Sequence, residues 1–316
     1  MKRLSIFIVG IMVAVVAMSR TFDMKQLGAD AKGIKSCTEL INRTIEKAAS
    51  EGGGTIYFPA GTYLTATIHM KSNITLYLES GAVLRFSDKF EDYLPFVTLR
   101  WEGTVMKSLS PLIYAHSADN VTISGRGTLD GNGLKWWLWE FDTRKVIKEN
   151  GGKLPALDKL QQMWVDANKD LEISDYYKPS LERRMFRPPF IQFYECTNIL
   201  IENVKIINSP FWTINPAFCD NVTIHGITIN NPSSDPKGPN TDGINPSSCR
   251  NVRISDCLIS VGDDCITIKS GRDADGRKYG KACENITITN CIMLSGHGGV
   301  AVSYTHLRAH ETLSDL

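Results

Sequence analysis

Three acids, a histidine and an asparagine stand among glycines late in the chain, in Asn240-Thr241-Asp242-Gly243, Gly262-Asp263-Asp264-Cys265 and Gly296-His297-Gly298-Gly299. Carboxyl groups brought within a few ångströms of one another raise the pKa of at least one member, so folding alone gives no reason to gather them. A cluster of this composition points to cation binding or to proton transfer. His297, between glycines that let a ligand approach the backbone, favours proton transfer. A lone Asp242 would read as a turn residue. The case for a site rests on bringing all three acids together.

A repeat supplies the means. Cys196-Thr197-Asn198-Ile199-Leu200-Ile201, Cys219-Asp220-Asn221-Val222-Thr223-Ile224, Cys249-Arg250-Asn251-Val252-Arg253-Ile254 and Cys283-Glu284-Asn285-Ile286-Thr287-Ile288 share one pattern. Asp119-Asn120-Val121-Thr122-Ile123 and Ser72-Asn73-Ile74-Thr75-Leu76 repeat it without the cysteine. A β-rich unit of 23 to 34 residues with fixed alternation of branched side chains marks a solenoid. The chain is therefore all-β, a right-handed parallel β-helix in which each coil stacks on the last. Matching Ile244, Ile266 and Val300 across coils puts Asp242, Asp263, Asp264 and His297 in one column to within a residue, and Trp212 beside Asp242. Adjacent strands lie about 4.8 Å apart, so groups distant in sequence become neighbours on one face. Asp263 and Asp264 would point to opposite faces of a regular strand, which predicts a bend there.

A length of 316 with 42% hydrophobic residues can bury a full core, and a solenoid grows by adding coils, so a single domain over 20–302 is expected. The formal charge of +1 gives no bulk electrostatic reason for a nucleic-acid or membrane partner. A monomer with no nucleic acid and no stable membrane insertion is expected. Residues 1–19 carry Lys2 and Arg3, an apolar run and Ala17-Met18-Ser19, the pattern of a signal peptide directing a secreted or periplasmic protein. Ser36-Cys37-Thr38-Glu39 has the form of a capping box ahead of Leu40, Ile41, Ile45, Ala48 and Ala49 on one helical face. That helix is expected to cap the open end of the solenoid.

Residues 132–189 interrupt the repeat with Trp136, Trp137, Trp139, Trp164, Tyr176 and Tyr177 among charges, a partly helical insertion. Its aromatics either stack on sugars or anchor the insertion, while Arg183, Arg184 or Arg187 are candidates to meet carboxylates. Cys196, Cys219, Cys249 and Cys283 share one repeat position, and Cys257 and Cys291 another, which favours packing ladders over zinc ligands. Asn73, Asn120, Asn221 and Asn285 sit in Asn-x-Thr triplets but at one repeat position, where a structural turn asparagine outweighs a glycosylation acceptor.

The three motifs, in this order and at solenoid spacing, resemble glycoside hydrolase family 28, the polygalacturonases and their relatives, over about Phe22 to Val302. Gly52-Gly53-Gly54-Thr55-Ile56-Tyr57-Phe58-Pro59-Ala60-Gly61-Thr62-Tyr63 is similar to the first coil of many pectin-active β-helix proteins. The resemblance implies hydrolysis of α-1,4-galacturonosidic bonds of pectin by an inverting acid/base mechanism. Asp263 would be the general acid, Asp242 and Asp264 would hold and deprotonate the water, and His297 would tune the acid or bind substrate. Inverting pairs generally stand about 6.5–9.5 Å apart. Asn240 would orient the acids and, with Lys269, contact substrate; Arg272, Arg277 and Lys278 are weaker candidates for its carboxylates. No cofactor and no metal are implied. The insertion favours exo action by blocking one end of a groove. Rhamnogalacturonan or xylogalacturonan remain alternative substrates, and a calcium-dependent pectate lyase or a non-catalytic carbohydrate-binding solenoid are the rival classes.

The family continues past its histidine motif with further coils and an Arg-Ile-Lys element, neither of which follows here. Residues 303–316 carry no repeat and resemble adapter read-through, so a C-terminally truncated gene is expected, with C-terminal coils missing. His306 and His310 then have no metal role.

Overall fold

Alternation of branched residues in the repeat is what builds the walls. In a computed structural model describing residues 20–151, 156–171 and 187–303, two parallel sheets of eight strands run the length of the chain. The expected leader, residues 304–316 of the tail, and Tyr176, Tyr177, Arg183 and Arg184 lie outside the described residues. The first wall stacks coils in strict register, with Ile201 opposite Ile224, Ile224 opposite Ile254 and Ile254 opposite Ile288. Ile201, Ile224 and Ile254 point inward and are buried, each stabilising the stack by roughly 2–3 kcal/mol. The second wall does the same with Leu129, Ile206, Ile229 and Ile259. The architecture is a right-handed parallel β-helix.

A third wall closes each coil. It begins with Ile68–His69, Ile113–His116 and Ile191–Tyr194, continues through single bridges at Ile214 and Ile244, and ends in Ile266–Lys269 and Val300–Ser303. This wall is the least continuous of the three, reduced to single bridges in its middle coils, and there the glycine motifs fall.

The turn into the first wall is fixed by asparagine. Asn73, Asn120, Asn198, Asn221, Asn251 and Asn285 all adopt left-handed backbone, with φ between 54° and 61°. Asparagine tolerates that region better than other non-glycine residues. The side chains bond between coils rather than to their own backbone: Asn120 donates to Asn73 at 3.0 Å, Asn221 to Asn198 at 2.6 Å and Asn285 to Asn251 at 3.1 Å. The cysteine ladder forms as the repeat implies, with the Cys219 and Cys249 amides donating to the sulfurs of Cys249 and Cys283 at 3.4 and 3.3 Å. All eight cysteines are free thiols.

Helix α1 (Thr38–Ser50) buries Ile41, Ile45 and Ala48, with Leu40 and Ala49 half-buried against the same core, and covers the first coil as expected. The capping box does not form. The helix starts after Cys37 with no side-chain cap, because Ser36 bonds the Thr38 hydroxyl at 3.0 Å instead. Two strands, Thr21–Asp23 and Lys32–Ser36, precede α1 and pair into the first and second walls. The insertion contains α2 (Leu134–Glu149) and α3 (Lys159–Ala167). A second excursion had no signal in the repeat: an antiparallel hairpin, Val97–Trp101 with Thr104–Ser108. Its buried Arg100 reaches Ser247 and Ser248 at 3.1 and 2.7 Å and pairs at 3.7 Å with Asp275 of α4 (Asp273–Tyr279).

Candidate active site

The third wall aligns the acids. Ile214 bridges Ile244, Ile244 bridges Ile266, and Ile266 pairs with Val300, so Trp212, Asp242, Asp264 and Gly298 share one column with Asp263 and His297 a residue before it. The predicted bend is present: the chain turns at Gly262, Asp263 and Cys265, and both carboxyls reach one place. Glycine is required here. A Cβ on Gly262 would lie 2.1 Å from the Gly238 carbonyl oxygen, and one on Gly243 2.4 Å from that of Cys265. Thr241 ties the same crossing, donating to Gly238 at 2.7 Å and accepting from the Gly262 amide at 3.0 Å.

One carboxylate oxygen from each of Asp242, Asp263 and Asp264 lies within 4.8 Å of the other two. That is tighter than the spacing expected of an inverting pair. The group is compact enough to hold a cation, with an ammonium already against one member.

The three acids have different surroundings. Asp242 is buried, and its Oδ2 accepts from Asn245 Nδ2 at 3.1 Å and faces Lys269 Nζ at 3.4 Å. Burial pushes the Asp242 carboxyl up to about 6; the Lys269 charge pulls it down, and Asp263 pushes it further up. Crowding of like charge thus contributes, but burial dominates. Asp263 faces outward. Its Oδ1 accepts from the Asp264 amide at 3.0 Å and lies 3.2 Å from His297 Nδ1, while its Oδ2 accepts from Asn240 Nδ2 at 3.3 Å. Asp264 accepts from the Thr267 hydroxyl at 3.4 Å.

His297 meets Lys237 Nζ at 2.7 Å through Nε2. An ammonium only donates, so Nε2 accepts and the ring hydrogen sits on Nδ1, facing Asp263. Lys237, in the loop before Asn240, belongs to no repeat, and no sequence pattern marks it.

Lys269 is a correction to the sequence reading. Its side chain is 4% exposed, its Nζ lies 4.5 Å above the Trp212 ring and donates to Ser303 at 3.2 Å, and its charge faces Asp242. It is not presented to a substrate carboxylate. The long stem reaches back across two coils because Trp212, stacked on Phe211 and through it on Trp101 of the hairpin, gives it an aromatic floor. Arg272 is likewise engaged, 3.0 Å from Glu102. Asn240 touches Asp263 and so orients an acid. The indoles of the insertion serve as anchors: Trp136, Trp137 and Trp164 are buried, and Trp137 Nε1 donates to the Ser209 carbonyl at 2.9 Å. Arg187 is fully buried, with its charge turned to Glu140.

Residues 174–312 match the profile of Glycosyl hydrolases family 28, and residues 21–96 that of Rhamnogalacturonase A/epimerase, pectate lyase-like. The chain is 33% identical over 261 residues to a probable polygalacturonase of Vitis vinifera, covering 81% of this chain and 45% of the relative. It is 28% identical to an endo-polygalacturonase of Pectobacterium carotovorum subsp. carotovorum across 94% of this chain and 67% of the relative. A solved hyperthermoactive exopolygalacturonase from Thermotoga maritima superposes with a TM-score of 0.75 at 38% identity, covering 90% of this chain and 62% of that one. The chain spans about half the length of curated relatives such as the Vitis vinifera protein. It is similar to glycoside hydrolase family 28 and is polygalacturonase-like.

Proposed function

We propose that the protein hydrolyses α-1,4-galacturonosidic bonds of polygalacturonate, with Asp263 as proton donor to the leaving oxygen and Asp242 with Asp264 taking the proton of the attacking water. The observation that carries this reading is the division of one carboxyl cluster into an outward acid and an inward, cation-paired one. Asp263 is the member within reach of a bound glycosidic oxygen, with its two oxygens turned to the Asp264 amide, His297 and Asn240. Asp242 has the raised pKa, which by itself would favour it as the donor. It is buried, however, with an oxygen held by Asn245 and Lys269, and a leaving group would have no path to it. Ionised by Lys269 near neutral pH, it is suited to polarise a water.

Two finer points belong to the same proposal. The reaction inverts the anomeric centre, and it acts from the chain end because the insertion packs against the loop before Asn240; the likeness to an exopolygalacturonase supports exo action. The protein acts outside the cytoplasm, as a monomer, on pectic polysaccharide, and the leader-like residues 1–19 support export. Among the described residues no helix is long and apolar enough to cross a membrane.

Incubation with polygalacturonate, with reducing ends, product size and product anomer followed together, tests the proposal. Release of β-galacturonate monomer is expected. Unsaturated products lost on chelation would instead make the protein a lyase using the acids as cation ligands, and binding without cleavage would make it a carbohydrate-binding solenoid.

A further inference from the structure

Outside the acid column, a fully buried ion pair ties the insertion to the solenoid. Glu140 of α2 and Arg187 are both 0% exposed and stand 3.6 Å apart, and Arg144, one helical turn beyond Glu140, donates to its other oxygen at 2.6 Å. A buried pair of this kind adds little to stability compared with apolar side chains of the same size. What distinguishes it is where the guanidinium points. Arg187 donates to the Pro239 carbonyl at 2.5 Å and to Asn240 Oδ1 at 2.8 Å, and Arg144 Nη2 lies 3.4 Å from the same oxygen.

Two guanidinium groups facing Asn240 Oδ1 decide the orientation of that amide, since neither can accept a hydrogen bond. Nδ2 is thereby turned to Asp263 Oδ2 at 3.3 Å. With the Asp264 amide on Oδ1, both oxygens of Asp263 are then held and the plane of the carboxyl is set. We propose that the Glu140–Arg187 pair is a positioning device for the proton donor, acting through Asn240, so that the insertion orients the acid from beneath. The inference rests on the reading of Asp263 as the donor.

Arg187→Lys keeps a cation opposite Glu140 but cannot serve Pro239 and Asn240 at once, whereas Arg187→Met removes the charge as well. If the pair positions the acid, Arg187→Lys melts close to the wild type yet loses about 10- to 100-fold in kcat with KM within about twofold, the loss expected of a misplaced catalytic group. Arg187→Met loses stability in addition, and Glu140→Gln falls between the two in kcat. A folded Arg187→Lys with wild-type kcat overturns the proposal, as does a loss of kcat that only follows the loss of Tm. Crystal structures of the wild type and of Arg187→Lys provide a readout independent of substrate. Loss of the Asn240–Asp263 contact in the variant supports the proposal and its retention overturns it. If the wild type is inactive on polygalacturonate, the functional reading fails, and this structural comparison still decides the inference.

Discussion

Two columns run across the coils of this β-helix, and they are built on opposite principles. The asparagine column at the turn into the first wall repeats one residue in one backbone conformation, from Asn73 through Asn285, and from Asn120 onward each amide meets a polar group of the coil before it. The acid column on the third wall repeats nothing: Trp212, Asp242, Asp264 and Gly298 follow one another, and the chain bends to bring in Asp263 and His297. Sameness down a column serves stacking. Departure from it, on a wall held in register by the others, is where chemistry is placed.

The largest effect that would break this division is on activity. Asp263→Asn should lower kcat about 10³-fold or more, as expected for loss of a general acid, while leaving Tm nearly unchanged. A variant that retained kcat would remove the acid column from the chemistry. Lys269→Met should lower kcat/KM about 10- to 100-fold, because the buried Asp242 loses the cation that keeps it ionised. The acid limb of its pH–rate profile should move to higher pH; an unmoved limb would show that Lys269 only fills space.

A smaller effect separates the two columns by pH. The Asp242 carboxyl sits at about 6 when folded and at its ordinary value near 3.8 when unfolded, so between these pH values the folded protein binds the extra proton. Its favourable contribution is complete below about pH 4 and lost as pH rises through about 6, on the order of 2–3 kcal/mol. Asp242→Asn should therefore gain stability relative to wild type over that window, read from denaturant midpoints at each pH. A difference that stays flat would contradict the burial of that carboxyl. The smallest effect belongs to the repeat: Asn221→Ala should cost about 1–2 kcal/mol, for a left-handed residue and its bond to Asn198, with kcat unchanged.

The same division explains what the sequence made legible. Ile244, Ile266 and Val300 could be aligned because the repeat is periodic, and the column of acids and the bend at Asp263 followed from that alignment, as the turn asparagines and the cysteine ladder followed from the repeat itself; that the asparagines bond from coil to coil did not. What escaped lies off the period. Nothing in Lys237 or Glu140 announces a partner in another coil, and the Val97–Ser108 hairpin interrupts the walls without a pattern of its own. Lys269 was legible as a cation near the acids, but whether it faced out or in depended on Trp212 two coils away. The Ser36–Glu39 motif failed for a local reason, a hydroxyl pair that competes with the cap.

The central claim, that one cluster is split into an outward donor and an inward water-holding side, is tested most directly by leaving-group dependence. Asp263→Asn and Asp242→Asn would be assayed on polygalacturonate and on an aryl α-galacturonide whose phenolate departs without protonation. The account predicts that Asp263→Asn recovers most of its activity on the aryl substrate while Asp242→Asn stays inactive on both. Recovery in Asp242→Asn, or none in either variant, would contradict it.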